Sequence, residues 1–165
     1  MFVLGIDPGL STLGYGLIES RGHNIRAVAA GVIRTASSSP IGDRLVELHR
    51  DLDALIREHR PDEAAVEQVF VNRNLQTATA VGRASGVVML TLAQHQLDVA
   101  EYSPSAVKRA LTGYGNADKT QMQKVVAMRL RLGEVPSPAD AADALAIALC
   151  HIQSAPVRRL AGGVK

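Results

Sequence analysis

Four acidic side chains occupy positions where an acid is expensive. Asp7 follows the apolar run Val3-Leu4-Gly5-Ile6, and Glu67 follows Ala64-Ala65-Val66. Asp140 and Asp143 are embedded in Ala-Asp-Ala-Ala-Asp-Ala-Leu-Ala-Ile-Ala, and a spacing of three puts both on one helix face. An ionised carboxylate in apolar surroundings is costly unless it is paired or coordinates a metal. The last segment holds no arginine or lysine at helical spacing to do the pairing. Acids that converge without bases repel one another and raise their own pKa values, and a divalent cation resolves that conflict. All-oxygen ligands favour Mg²⁺, with Mn²⁺ as a substitute, over zinc. Two such ions about 4 Å apart can activate a water and stabilise the leaving oxygen in phosphodiester hydrolysis. Taken singly, Asp7 before Pro8-Gly9 also suits a turn, and Asp140 also suits a helix N-terminus. Glu67 and Asp143 have no such ordinary explanation.

The elements that must position these acids follow from hydrophobic spacing. Phe2–Asp7 reads as a buried strand ended by Pro8-Gly9, and Gly14–Glu19 and Ile25–Arg34 as two more strands of an antiparallel meander. Ile41, Leu45, Leu48, Leu52 and Leu55 recur at helical spacing and predict one core-facing helix, its charged residues, Arg44 among them, facing solvent. Ala64–Val69 is a fourth strand, parallel to a sheet neighbour because a helix precedes it. A small-residue helix over Gln76–Gln94 follows, then a strand over Leu97–Tyr102. Ser103-Pro104 is a helix start, with Ser as cap and Pro in the first turn. Helices over Lys119–Leu130 and Ala139–Gln153 complete the chain, and the basic segment 155–165 reads as a disordered tail. The expectation is an α/β fold: a five-stranded mixed sheet with helices on both faces, as one domain over residues 1–154.

Composition narrows the function classes. The chain has 165 residues, 47% of them hydrophobic, enough for one core without staples. Cys150 is the only cysteine, so no intrachain disulfide and no zinc-finger spacing is available. The first apolar run is too short for a signal peptide or a membrane span, which reads as a cytoplasmic protein with no membrane partner. The five histidines form no ligand-spaced pair. Of 18 bases and 16 acids, Pro104–Gly133 holds six bases (Lys108, Arg109, Lys119, Lys124, Arg129 and Arg131) and one acid. That local net of +5, against −3 for the remainder, suits either a polyanion-gripping face or a solvated helix surface. Lys119 opens a helix, where the dipole disfavours a cation without another use.

At this point the residues resemble a family. Gly5-Ile6-Asp7-Pro8-Gly9 with Gly14-Tyr15-Gly16, Glu67-Gln68-Val69-Phe70, Ala117-Asp118-Lys119-Thr120-Gln121, and the Asp140/Asp143 segment are together similar to the bacterial RuvC Holliday-junction resolvases. The likeness runs from Met1 to about His151, in the family's order. It implies an RNase H-like fold and a homodimer with two active sites. Each would incise one of two strands of like polarity at four-way junction DNA, in recombination and repair. It also implies that Asp7, Glu67, Asp140 and Asp143 are the catalytic, metal-binding acids, with two Mg²⁺ per site. Lys108 and Lys119 fall on the family's active-site lysines, and Phe70 on an aromatic that stacks near the junction centre. A junction-binding protein and a hexameric branch-migration ATPase are the implied partners.

The residues themselves are consistent with these roles. Phe70 lies in the loop directly after Glu67 and precedes Asn72-Arg73-Asn74. A ring there can stack on an unpaired base for about 1–3 kcal/mol, or tuck into the core as a loop anchor. Arg73, Lys108 and Lys119 would neutralise phosphates and make binding salt-sensitive. Two readings from other classes compete. An actin-like nucleotide binder shares the Asp-x-Gly strand end, but this chain offers one lobe rather than two. A non-catalytic junction-binding module would gain nothing from burying four like charges. A nuclease of RNA–DNA hybrids on the same sheet is a third.

Overall fold

The structure is a computed structural model of the chain, and it describes residues 1–22, 24–69 and 75–162, with side chains of 75–77 and 156–162 left aside. β1 (Phe2–Asp7), β2 (Thr12–Arg21) and β3 (Asn24–Arg34) form the expected antiparallel meander. α1 (Ile41–His59) leads to β4 (Glu63–Glu67), and α2 (Leu75–Gln94) leads to β5 (Asp98–Tyr102). β4 pairs parallel with β1, and β5 parallel with β4, giving the sheet order β3-β2-β1-β4-β5. α3 (Pro104–Thr112), α4 (Lys119–Arg129) and α5 (Ala139–Gly162) follow.

Strand alternation sends successive side chains to opposite faces, and each face has its own core. Leu4, Ile6, Leu17, Ala64 and Val66 pack with Leu48, Leu52, Ile56, Ala84, Val88 and Leu92 of α1 and α2. Val3, Ile18, Ala65, Ala100 and Tyr102 pack with α3, α4 and α5 on the other side. The mixed sheet with helices on both faces is therefore as the sequence predicts. Asp7 keeps the parity of Val3 and Gly5, so it belongs to the α5 face.

That face is shaped by glycine. Gly5 pairs with Gly16, and Gly14 with Asp7, across β1 and β2. A methyl group on Gly5 would run into the Ala144 carbonyl, and one on Gly14 into the Asp140 carbonyl. α5 thus lies directly on bare strand backbone, closer than any side chain would permit. Residues Ala141 to Cys150 along it are buried except Asp143.

Three details depart from the sequence reading. The buried stripe of α1 is Arg44, Leu48, Leu52 and Ile56, whereas Ile41 is 43% exposed. Arg44, expected in solvent, is buried because two hydroxyls receive its guanidinium: Nε donates to Thr35 Oγ1 at 2.9 Å and Nη2 to Ser11 Oγ at 2.7 Å. Thr35 Oγ1 in turn donates to the Leu10 carbonyl at 2.6 Å, so α1 is stitched to the turn that follows Asp7. The last helix also runs farther than expected, continuing to Gly162 through most of the segment read as a disordered tail. The Arg, Leu and Ala residues of that segment have good helix propensity, and their charge says nothing against helix. Finally, β4 ends at Glu67, two residues short of the predicted strand.

Candidate active site

The four acids arrive from three elements. Asp7 ends β1, Glu67 ends the parallel neighbour β4, and Asp140 and Asp143 stand in the first two turns of α5. The parallel pairing of β1 with β4 puts both strand ends on one edge of the sheet. The glycine seat then sets α5 over that edge, with Asp140 above Gly14, the cross-strand partner of Asp7.

Their proximity is visible in the electrostatics. Burial, then the charges of Glu67, Asp143 and Asp140, push the Asp7 carboxyl up to about 7, with Lys119 opposing. Glu67 is raised as well, by burial first and Asp143 second, with Lys108 and Lys119 pulling it back. Lys119 Nζ lies 2.9 Å from Asp143 Oδ2, and this hydrogen bond, helped by the charges of Asp140 and Asp7, raises the lysine further. The dipole's objection to a cation at this helix start is thereby met by an acid on another helix. Lys119 is held by a capping box: Asp118 Oδ1 accepts from the Gln121 backbone N–H at 2.8 Å, and Gln121 Oε1 from that of Asp118 at 3.1 Å.

Among the described residues, no three His, Cys, Asp or Glu side chains stand close enough to form a ready-made metal cage. One of the four, Asp143, already takes a lysine. The donor set nevertheless fits a hard divalent cation. It is all oxygen, burial and the neighbouring acids raise the Asp7 and Glu67 carboxyls, and a positive ion among them would reverse that penalty. A cleft of about 220 Å³ opens beside the acids, lined by Glu67, Asp143, Lys108, Lys119, Val107 and Met122 among others. Lys108 comes from α3, whose N-cap Ser103 accepts from the Ala106 N–H at 3.2 Å as the Ser-Pro pair predicts.

The structure therefore brings together six of the residues singled out by sequence: Asp7, Glu67, Asp140, Asp143, Lys108 and Lys119. Phe70 and Arg73 lie outside the described residues. Two supports escaped the sequence reading. One is the glycine seat, whose only sequence signal is glycine at positions 5, 14 and 16, paired by the strand register under α5. The other is a buried polar link behind the site. His151, 1% exposed on α5, joins Glu63 Oε2 at 2.7 Å and the Tyr102 hydroxyl at 3.0 Å. Glu63 begins the strand that Glu67 ends, and Tyr102 is the cross-strand partner of Glu67, so His151 ties α5 to β4, which carries Glu67, and to its neighbour β5.

The family profile described as crossover junction endodeoxyribonuclease RuvC matches residues 3–151. The RuvC protein of Chloroflexus aggregans is 50% identical over 156 residues, covering 94% of this chain and 95% of its own. That of Desulfitobacterium hafniense is 48% identical over 163 residues, covering 99% of each. Among solved structures, Thermus thermophilus RuvC in complex with a Holliday junction substrate superposes with a TM-score of 0.90 at 36% identity, covering 96% of both chains. Among the described residues, no helix is long and apolar enough to cross a membrane.

Proposed function

The chain belongs to the crossover junction endodeoxyribonuclease RuvC family, whose members are metal-dependent nucleases, and from that premise we propose a two-metal mechanism at the acidic cluster. The protein is a Holliday junction resolvase, a structure-specific endonuclease of recombination and repair. Neither the nucleotide binder nor the non-catalytic junction module is favoured by its relatives. The observation that carries the mechanism is the convergence of Asp7, Glu67, Asp140 and Asp143 on one sheet edge, beside a cleft walled by lysines.

Asp7, Glu67, Asp140 and Asp143 would hold two Mg²⁺ ions, with Mn²⁺ able to replace them. Bound there, such ions supply an activated water and charge stabilisation of the leaving oxygen. Burial and the neighbouring acids hold the Asp7 carboxyl up at about 7, so it carries a proton much of the time at neutral pH and would have to give it up to serve as a ligand. Lys119 is held ready at the rim by Asp143, 58% exposed, and can swing to a phosphate oxygen as DNA approaches. Lys108 draws the backbone in from the α3 side of the cleft. Phe70 and Arg73 we assign to the junction centre and its phosphates. The chain acts as a homodimer, each protomer nicking one of two strands of like polarity, and works in the cytoplasm with a junction-binding protein and a branch-migration ATPase.

Mixing the purified protein with a synthetic immobile four-way junction and Mg²⁺, then mapping both cuts, tests this reading. Symmetric nicks on two like-polarity strands, absent in Asp7→Asn and Asp143→Asn proteins that still bind the junction, are expected. Cutting that survives either substitution would overturn the mechanism.

A further inference from the structure

The chain has five aromatic residues and no tryptophan. Phe2 and Tyr15 pack against one core, Tyr102 is buried in the other, and Phe70 is outside the described residues. Tyr114 alone among the described aromatics is exposed, at 49%. Its position is not incidental to the site, because it sits in the connection between α3, which carries Lys108, and α4, which opens with Lys119.

The connection holds the ring in place while leaving it half outside. Gly113 caps α3 at φ 85°, its N–H donating to the Arg109 carbonyl at 2.9 Å. Thr112 Oγ1 donates to the Lys108 carbonyl at 2.8 Å and is also 2.9 Å from the Tyr114 carbonyl. The Tyr114 hydroxyl reaches Gln121 Oε1 at 3.4 Å, the oxygen that also accepts from the Asp118 N–H in the capping box that positions Lys119. Arg109 Nη2 approaches to 4.0 Å from where a Cβ on Gly115 would stand. The ring is thus flanked by glycines that keep its approaches open, with cations on the helices to either side.

The hydroxyl is anchored to Gln121, yet half of the side chain stays in solvent instead of in a core. Carried between helices that bear Lys108, Arg109 and Lys119, it has the make-up of a platform on which a nucleobase stacks while the basic side chains hold the phosphates. We propose that Tyr114 is a DNA-contacting residue on the loop between the two lysine-bearing helices of the nuclease cleft, stacking on a nucleobase of the bound junction and coupling it, through Gln121 and Asp118, to the placement of Lys119. This role rests on the junction-cleaving reading.

The absence of tryptophan makes the test direct. Tyr114→Trp places a single fluorophore at the proposed contact, in metal-free buffer where DNA binds without being cut. Its emission should quench as junction is added, saturating together with binding measured by gel shift. Tyr114→Ala should raise the junction concentration for half-maximal cutting about tenfold, with a smaller change in rate at saturation and an unchanged melting temperature. Tyr114→Phe should restore most of that loss. Unquenched emission from a protein that has bound the junction, or an alanine variant within twofold of wild type, would overturn the role. A wild-type chain that neither binds nor cuts the junction would remove the underlying reading, and the role with it.

Discussion

Asp7→Asn should make the metal-free protein more stable while abolishing cutting. Burial and three neighbouring acids raise this carboxyl from an ordinary 3.8 to about 7. A raised folded-state value means that the folded protein binds the proton more tightly than the unfolded chain. The stability gained is therefore fully present below 3.8 and is lost as pH rises through 7. Each pH unit of that interval is worth about 1.4 kcal/mol, so an ionised Asp7 costs the fold about 4 kcal/mol at pH 8. Asparagine keeps the shape and drops the charge. Allowing for desolvation of its amide, the net gain is about 2–3 kcal/mol, or roughly 5–10 °C in melting temperature for a chain of this size. Thermal melts at pH 5, 6, 7 and 8 in chelator would show wild type falling with pH and the variant falling much less. Adding Mg²⁺ should then close the gap, since the cation binds the intact cluster and stabilises wild type by mass action. Parallel melting curves in chelator, or equal stabilisation of both proteins by Mg²⁺, would refute the reasoning.

Three further outcomes are expected. Gly14→Ala pushes the Asp140 carbonyl off the sheet, which should cost about 1–3 kcal/mol in a denaturant melt and abolish cutting altogether, a loss larger than the stability change explains. Lys119→Met frees Asp143 from its ion pair, so the Mg²⁺ concentration for half-maximal rate should fall while the maximal rate drops by about a hundredfold or more; an unchanged maximal rate would count against a role at the phosphate. His151→Ala removes the imidazole between Glu63 and Tyr102 and should cost about 3 kcal/mol, with His151→Leu/Glu63→Leu recovering much of the stability but not the cutting rate.

The fold was legible because its elements obey simple periods. The short apolar run of β1 and the short links around β2 give the meander, and the helix before β4 makes that strand parallel to a sheet neighbour, which is β1. The four acids were legible because each interrupts an apolar run that would otherwise simply be buried. Arg44 was not, since a charged residue in an amphipathic helix reads as solvent-facing unless the hydroxyls that receive it, Thr35 and Ser11, are known to be nearby in space. The glycine seat shows the same gap: glycines at 5, 14 and 16 look like turn or strand weakeners until register pairs them under α5. His151 has no ligand-spaced partner in the sequence, and the groups it joins lie 49 and 88 residues away, beyond any local pattern. The last helix passes Gln153 into a segment whose positive charge and glycines suggest a tail, because arginine, leucine and alanine extend helix equally well.

The most direct measurement is anomalous diffraction from crystals of the protein soaked in Mn²⁺. Two peaks are expected between the carboxylates of Asp7, Glu67, Asp140 and Asp143, with Lys119 displaced from Asp143. Manganese found elsewhere, or an unbroken Lys119–Asp143 pair with no density among the four acids, would contradict the account.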